Sequence, residues 1–206
     1  MACHFSPYGM GLINLPPALP PGAMVILNDR IPPAGHDPET VVGQLLQLSP
    51  ACLLLDFQQP PTPATLELTQ RIILALPCPA GVTQGYAHNL DCPLFLPLPP
   101  PDTLLEEYCA PWQGREIWLE LGLDAMTYTV TEQGAVPGSL AAPPQHGSSD
   151  KDLCCQYRID LLDDRAVFSL WRTRQDLDRL LEKAESHSIT KAIGLWQELG
   201  PTFYPS

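Results

Sequence analysis

The sequence predicts an α/β protein built as a TIM-like (β/α) barrel. Short apolar runs that become polar at their ends alternate with amphipathic helical segments, which is the order of repeated strand–helix units. Seven such runs occur, one fewer than the eight strands of a usual barrel. A chain of 206 residues can form one substantial core, so we expect a single barrel domain over residues 1–206.

The predicted strands and helices follow one another along the whole chain. Asp37 and Thr62 each precede a proline, a pattern typical of helix N-caps, and a third helix is expected to begin after Asp102. The predicted helices are Pro38–Leu48, a second from Thr62 to about Pro77, Thr103–Tyr108 and Gln175–Glu185. The predicted parallel strands are His4–Gly9, Met24–Arg30, Ala51–Gln58, Ala80–Tyr86, Pro93–Leu98, Glu116–Leu121 and Lys191–Glu198.

The alternation breaks over residues 125–171, before the last helix and strand. Three segments with turn residues between them, Ala125–Thr131, Cys155–Asp160 and Ala166–Trp171, predict a small antiparallel insertion in the barrel. Residues 138–152 are expected to be a flexible connection. An open doubly wound sheet is the alternative architecture, although the chain lacks the glycine-rich phosphate-binding loops that mark such folds.

Charge and composition exclude several classes of partner. A net charge of −12 offers no basic surface to nucleic acid. No apolar run is long enough to span a membrane and no leader peptide is visible, which predicts a cytoplasmic protein unless the given sequence begins after a leader. The seven cysteines form no CxxC pair and the five histidines are scattered, so we expect reduced thiols, no metal site and no cofactor.

The strand Ala51–Gln58 marks the expected site. Alternation places Leu54, Asp56 and Gln58 on one face, and that face becomes polar at its carboxyl end, where ligands bind in parallel α/β folds. A ring over the sugar face with carboxylates and amides at its hydroxyls is how proteins recognise sugars. The expected ligand contacts on this and the other strands are Asn28, Arg30, Asp56, Gln58, Trp118 and Trp196. Alternatively, Arg30 forms a structural ion pair with Asp56 or Glu120.

The end of the chain resembles family 18 glycoside hydrolases, the chitinase-like barrels. The similar stretch runs from Tyr157-Arg-Ile-Asp through an aspartate-rich helix to Ile193-Gly-Leu-Trp-Gln-Glu-Leu-Gly200. In that family a tryptophan of the last strand forms the floor of the sugar site. The resemblance implies this role for Trp196.

The same resemblance aligns Leu55-Asp-Phe-Gln-Gln-Pro60 with the family's catalytic strand, D-x-x-D-x-D-x-E. Gln58 then takes the place of the catalytic glutamate, and Ala51 and Leu54 take the places of the two earlier aspartates. A glutamine has no transferable proton and cannot be a general acid. The family's tyrosine and aspartate pair also lacks a counterpart in Pro93–Pro99.

These observations favour a non-hydrolytic, chitinase-like barrel that binds a glycan or a related small polar ligand. One alternative is an active glycosidase with relocated carboxylates, for which Asp56 with Glu120 or Glu198 are the candidates. Another is a structural or interaction protein whose barrel is only a scaffold.

Overall fold

The structure of the protein is a computed structural model with two β-sheets. It describes residues 2–6, 9–11, 23–29, 37–187, 189–195 and 199, and for 2–6, 9–11 and 195 it describes the backbone only. The chain divides into two compact units. The parallel-sheet unit comprises Ala2–Pro97, Arg115–Glu120 and Thr190–Ser206, and the antiparallel unit comprises Leu98–Gly114 and Leu121–Ile189.

Strands and helices alternate in the first half of the chain, and strands dominate the second half. The strands are β1 Ala2–Ser6, β2 Gly9–Gly11, β3 Met24–Asn28, β4 Cys52–Asp56, β5 Ala80–Thr83, β6 Leu94–Leu96, β7 Ile117–Leu121, β8 Ala125–Thr131, β9 Gly134–Ser139, β10 Ser148–Asp150, β11 Cys155–Leu161, β12 Ala166–Trp171 and β13 Ile189–Leu195. The helices are α1 Pro38–Leu48, α2 Pro63–Ala75, α3 Gln84–Ala87, α4 Leu105–Cys109 and α5 Arg174–Ala184.

The parallel sheet has the order β1-β13-β7-β6-β5-β4-β3-β2. Strands β2 to β7 are parallel in succession, and β1 is parallel to β13. Because β1 at one end of this order also contacts β3 near the other end, the sheet is curled. The α/β class and a curled parallel sheet are therefore confirmed. A complete TIM barrel is not observed among the described residues, since the hydrogen-bonded order has two ends.

Helix ends in the parallel-sheet unit follow local capping rules. Oδ2 of Asp37 accepts hydrogen bonds from N (3.1 Å) and Oγ1 (2.7 Å) of Thr40, and these bonds lower the pKa of Asp37. Thr62 and Thr65 form a reciprocal capping box at the start of α2. The predicted bounds of α1 are confirmed, as is the start of α2.

Two local predictions were wrong because tertiary contacts decided the structure. The strand predicted over Ala80–Tyr86 ends at Thr83, and α3 follows it directly. The ring of Tyr86 packs edge-on against that of Phe57, with 5.5 Å between the ring centroids. Asp102 does not cap α4, which begins at Leu105. Its carboxylate instead accepts a hydrogen bond from the hydroxyl of Tyr128 at 2.7 Å.

The antiparallel sheet has the order β10-β11-β12-β8-β9, which confirms the three predicted antiparallel strands. The prediction missed β9 and β10, which border or lie within the stretch expected to be flexible. In the described residues β9 pairs with β8 alone and is exposed throughout, as expected for an edge strand that contains Pro137. No helix in the described part of the chain is long and apolar enough to cross a membrane.

Candidate functional site

A cavity of about 380 Å³ lies within the parallel-sheet unit, at the carboxyl ends of its strands. Its polar lining consists of Asn28, Asp56, Gln58 and Glu120. Asn28 and Asp56 are direct neighbours in the pairing of β3 with β4. The parallel arrangement therefore brings together four polar side chains that three separate stretches of sequence supply, and it does so at the end of the sheet where ligands bind in this class of fold.

Apolar groups form the remainder of the cavity wall, together with Gly194. They are Ile26, Leu54, Phe95, Pro97 and Ile193. The lining thus combines an aromatic ring and aliphatic groups with a few convergent polar groups, which is the usual composition of a small-molecule site. None of these apolar residues was among the site residues expected from the sequence. The sequence could have indicated one of them, because Leu54 lies two residues before Asp56 and therefore shares its strand face.

The end of β4 is held by Asp29, a residue that the sequence analysis overlooked. This carboxylate is 4% exposed. Its two oxygens accept the backbone N–H groups of Gln58 (3.1 Å) and Gln59 (2.7 Å). The side-chain amide of Gln59 also donates to the carbonyl oxygen of Asp29 at 3.3 Å. Asp29 thereby fixes the backbone that carries Gln58, and its position after a buried strand, next to Asn28, was the available clue.

A second anchor lies one residue earlier in the same segment. Oγ1 of Thr83 donates a hydrogen bond of 2.5 Å to the backbone oxygen of Phe57, whose ring is buried against Tyr86. The hydroxyl of Tyr86 donates to Thr65 at 3.0 Å, and burial raises the pKa of this phenol. The segment from Asp56 to Gln59 is therefore tied to β3, β5 and α2.

The side chains of Asp56 and Gln58 interact directly. Nε2 of Gln58 donates a hydrogen bond to Oδ1 of Asp56. This orientation directs the amide nitrogen toward the carboxylate, so Oε1 of Gln58 remains as the amide's acceptor group. A carboxylate and an amide therefore meet at this point of the cavity wall.

Trp118 has the predicted inward orientation, but it lies beneath the cavity and does not line it. Its side chain is fully buried in a cluster with Met24, Cys52, Leu54, Phe95 and Ile193. Glu120 lies two residues further along the same face of β7, about 6.6 Å nearer the carboxyl end of that strand than Trp118. At this height its side chain lines the cavity. The expectation of direct ligand contact by Trp118 is thus corrected: depth in the sheet interior makes this ring a core residue.

The indole of Trp118 is held by a hydrogen bond, a cation–π contact and close packing. Its Nε1 donates to Oε1 of Glu116 at 3.0 Å, and Nζ of Lys191 lies 4.0 Å from the ring centroid in a cation–π contact. A Cβ atom at Gly81 would lie 2.6 Å from Cε3 of the indole, so only glycine fits there. The same oxygen of Glu116 also accepts a hydrogen bond from the hydroxyl of Thr190 at 2.7 Å.

Three of the expected site residues, Arg30, Trp196 and Glu198, lie outside the described residues. The structure brings together Asn28, Asp56, Gln58 and Glu120 from the expected set. Within the described residues, no group of three or more His, Cys, Asp or Glu side chains is placed to hold a metal ion.

Comparisons with known proteins give structural similarities only. No protein-family model matches the chain, and no curated protein sequence matches it. The spore cortex-lytic enzyme SleL of Bacillus cereus superposes with a TM-score of 0.47 at 10% identity, over 87% of this chain and 56% of that one. The protein ydhD of Bacillus subtilis, described as a sporulation-specific glycosylase, gives 0.46 at 12% identity, over 84% of this chain and 79% of that one. This chain therefore spans little more than half of the SleL chain.

Proposed function

We propose that this protein is a non-hydrolytic, chitinase-like barrel that binds a glycan or a related small polar ligand in the cavity at the carboxyl ends of its parallel strands. The observation that carries the proposal is the lining of that cavity. Phe95, Leu54 and Ile193 supply apolar surface for the face of a sugar ring, while Asp56 and Glu120 supply acceptors for its hydroxyl groups. The rigid support of the Asp56–Gln59 segment favours recognition, because little ordering is required when a ligand binds.

The non-hydrolytic part of the proposal rests on Gln58. Its side chain lines the cavity and donates a hydrogen bond to Asp56, and the sequence resemblance aligns this residue with the catalytic acid of that family. An amide cannot protonate a glycosidic oxygen. Trp196, the predicted floor of the sugar site, remains part of the proposal on the strength of that sequence resemblance.

The test is a calorimetric titration of the protein with chito-oligosaccharides and with peptidoglycan fragments. We expect saturable binding by the wild type and at least tenfold weaker binding by Asp56→Ala and by Trp196→Ala. Asp91→Asn is the matched control, because this exposed carboxylate belongs to the same unit and does not line the cavity. Absence of binding to any of these glycans by the wild type would refute the proposal.

A second candidate is supported by one specific observation: two carboxylates, Asp56 and Glu120, line the same cavity. Glycosidases of both stereochemical types use such a pair as acid and as nucleophile or base. This alternative predicts turnover of aryl glycosides that both Asp56→Asn and Glu120→Gln abolish. If a broad panel of aryl glycosides shows no turnover by the wild type, the non-hydrolytic function stands.

A further inference from the structure

One face of the antiparallel sheet is apolar at the end where β8 turns into β9 and β11 turns into β12. Residues paired across neighbouring strands point to the same face, as do residues two apart on one strand. Two adjacent rows of paired residues cross β11, β12, β8 and β9 on this face. The first row consists of Leu161, Ala166, Val130 and Ala135, and the second of Ile159, Phe168, Tyr128 and Pro137. We call these eight residues the apolar face.

The apolar face is open to solvent. Leu161 is 81% exposed and Ile159 is 46% exposed. Ala135 and Pro137 are exposed as well, and the other four members are partly buried. Single exposed apolar residues are common on protein surfaces, whereas contiguous apolar patches mark interaction sites. The continuity of the two rows therefore distinguishes this surface from scattered exposed leucines.

The opposite face of the same strands is different in character. Arg158 and Asp160 lie on it and pair with each other at 2.6 Å. Thr127 and Thr129 of β8 share that face, because they alternate with the residues of the apolar face. The charged pair of β11 thus lies away from the apolar face.

Carboxylates border the apolar face on two sides. The carboxylate of Asp102 accepts the hydroxyl hydrogen bond of Tyr128 at 2.7 Å, beside the second row. Beyond the first row, the two hairpin turns carry three exposed acidic residues, Glu132, Asp163 and Asp164. Arg165 contributes one positive charge at these turns, 3.9 Å from Asp164. The border of the apolar face is therefore negative on balance.

This charge distribution indicates the chemistry of a partner. Positive groups on either side of an apolar surface would complement the carboxylates. A second copy of this chain would instead bring further negative charge, since each copy has a net charge of −12. An anionic membrane surface would be repelled for the same reason.

We propose that the apolar face docks a segment of another protein that presents apolar side chains flanked by lysine or arginine. Four strands span about 14 Å, because neighbouring strands lie about 4.8 Å apart. Three turns of an α-helix, at about 5.4 Å each, cover this width. An amphipathic helix with basic residues beside its apolar stripe therefore fits the face. This inference concerns the antiparallel unit and does not depend on glycan binding in the cavity.

The experiment uses the whole protein and three labelled peptides of about 18 residues, long enough to form a helix. The first contains leucine and lysine at helical spacing, so that it has one apolar stripe with basic borders. The second has the same composition in an order without a stripe, and the third has glutamate in place of lysine. Fluorescence anisotropy at about 0.15 M salt measures the affinities. We expect saturable binding of the first peptide and at least about tenfold weaker binding of the other two.

Matched variants assign the binding to the apolar face. Leu161→Asp places a carboxylate in the face, and Leu74→Asp makes the same change at a leucine of the parallel-sheet unit that is 78% exposed. We expect Leu161→Asp to weaken binding about tenfold, as the loss of a leucine contact predicts, although it makes the protein more negative. Leu74→Asp should keep the wild-type affinity. Both leucines are largely exposed, so both variants should fold.

A second variant tests the charged border. Combining Asp163→Asn with Asp164→Asn should weaken binding several-fold and reduce its dependence on salt, because salt screens charge pairs. Hydrogen exchange should show protection of β8, β11 and β12 when the first peptide is bound.

Several outcomes would overturn the inference. Absence of saturable binding of the first peptide would do so. Equal affinity for the first two peptides, or unchanged or tighter binding by Leu161→Asp, would do so as well, because charge alone would then explain the binding. Light scattering provides a separate check: a dimer of the wild type that Leu161→Asp abolishes would assign the face to a second copy and overturn the proposed partner.

Discussion

Asp176 of the antiparallel unit and the pair Asp56 and Glu120 of the parallel-sheet unit have different surroundings. In the antiparallel unit, Asp176 is 0% exposed and is surrounded by donors of its own chain. It accepts hydrogen bonds from N and Oγ1 of Thr173 (2.9 and 2.6 Å), from Nε2 of Gln156 (2.9 Å) and from Arg179 (3.1 Å). In the parallel-sheet unit, Asp56 and Glu120 border a cavity large enough for a ligand.

A buried carboxylate is therefore not by itself a sign of function. Asp176 closes the capping box of α5 and joins that helix to β11, so its charge serves the scaffold. Asp29 plays a comparable part in the parallel-sheet unit, although it follows Asn28, which lines the cavity. The direction of the side chain, which alternates along the strand, separates the two roles.

The largest effect on stability is expected at the layer beneath the cavity. Trp118→Ala should lower the free energy of unfolding by about 3–5 kcal/mol, because it removes a fully buried indole and leaves a void beside Gly81. Urea unfolding followed by circular dichroism measures this. Leu74→Ala, at a side chain that is 78% exposed, is the control and should change little. A small loss for Trp118→Ala would contradict its role as a core residue.

The next effect concerns the buried carboxylate of the antiparallel unit. Asp176→Ala should cost about 3 kcal/mol, because Arg179 and the donors of Thr173 and Gln156 lose their shared acceptor. Hydrogen exchange should show the loss of protection in α5 and β11. Asp178→Ala, on the exposed side of the same helix, provides the comparison and should be nearly neutral. Equal losses of stability for the two variants would contradict the structural role of the Asp176 carboxylate.

A smaller loss is expected at Asp29, and there stability and binding should change together. In Asp29→Asn one oxygen is replaced by a donor that faces a backbone N–H group, so we expect a loss of about 1–2 kcal/mol in unfolding free energy. Glycan binding should weaken as well, because the segment that carries Gln58 is released. Asp56→Asn should weaken binding with a smaller loss of stability than Asp29→Asn, because Asp56 borders the cavity whereas Asp29 holds two backbone N–H groups. The reverse pattern would exchange the roles assigned to these residues.

The smallest change in stability, and the sharpest test of the site, is Gln58→Glu. The introduced carboxyl would neighbour Asp56, whose like charge raises the pKa of the new group and favours its proton-bearing form. We expect slow hydrolysis of a chromogenic chito-oligosaccharide where the wild type shows none. Gln59→Glu, one position along, should remain inactive. Hydrolysis by neither variant would argue against Gln58 at the position of a catalytic acid.

Local sequence signals predicted much of the fold. The Asp37-Pro38 pair fixed the start of α1, and apolar runs located the strands of the curled sheet, because capping and alternation depend only on nearby residues. The meeting of Asn28, Asp56, Gln58 and Glu120 in one cavity could also be expected from the sequence. Once the sheet is assumed to be parallel, strand direction and side-chain alternation place all four side chains at the same end.

How deeply a side chain is buried, and which distant residue it contacts, could not be read from the sequence. Trp118 and Glu120 share one strand face, and alternation cannot tell that the first is buried while the second reaches the cavity. Asp102 has the sequence context of a helix cap, but the hydroxyl of Tyr128, 26 residues away, binds its carboxylate. Alternation along each strand thus assigns the side chains to faces, because it depends only on local geometry. Contacts between residues far apart in the chain decide whether such a side chain joins the core, holds a neighbouring backbone segment or lines the cavity.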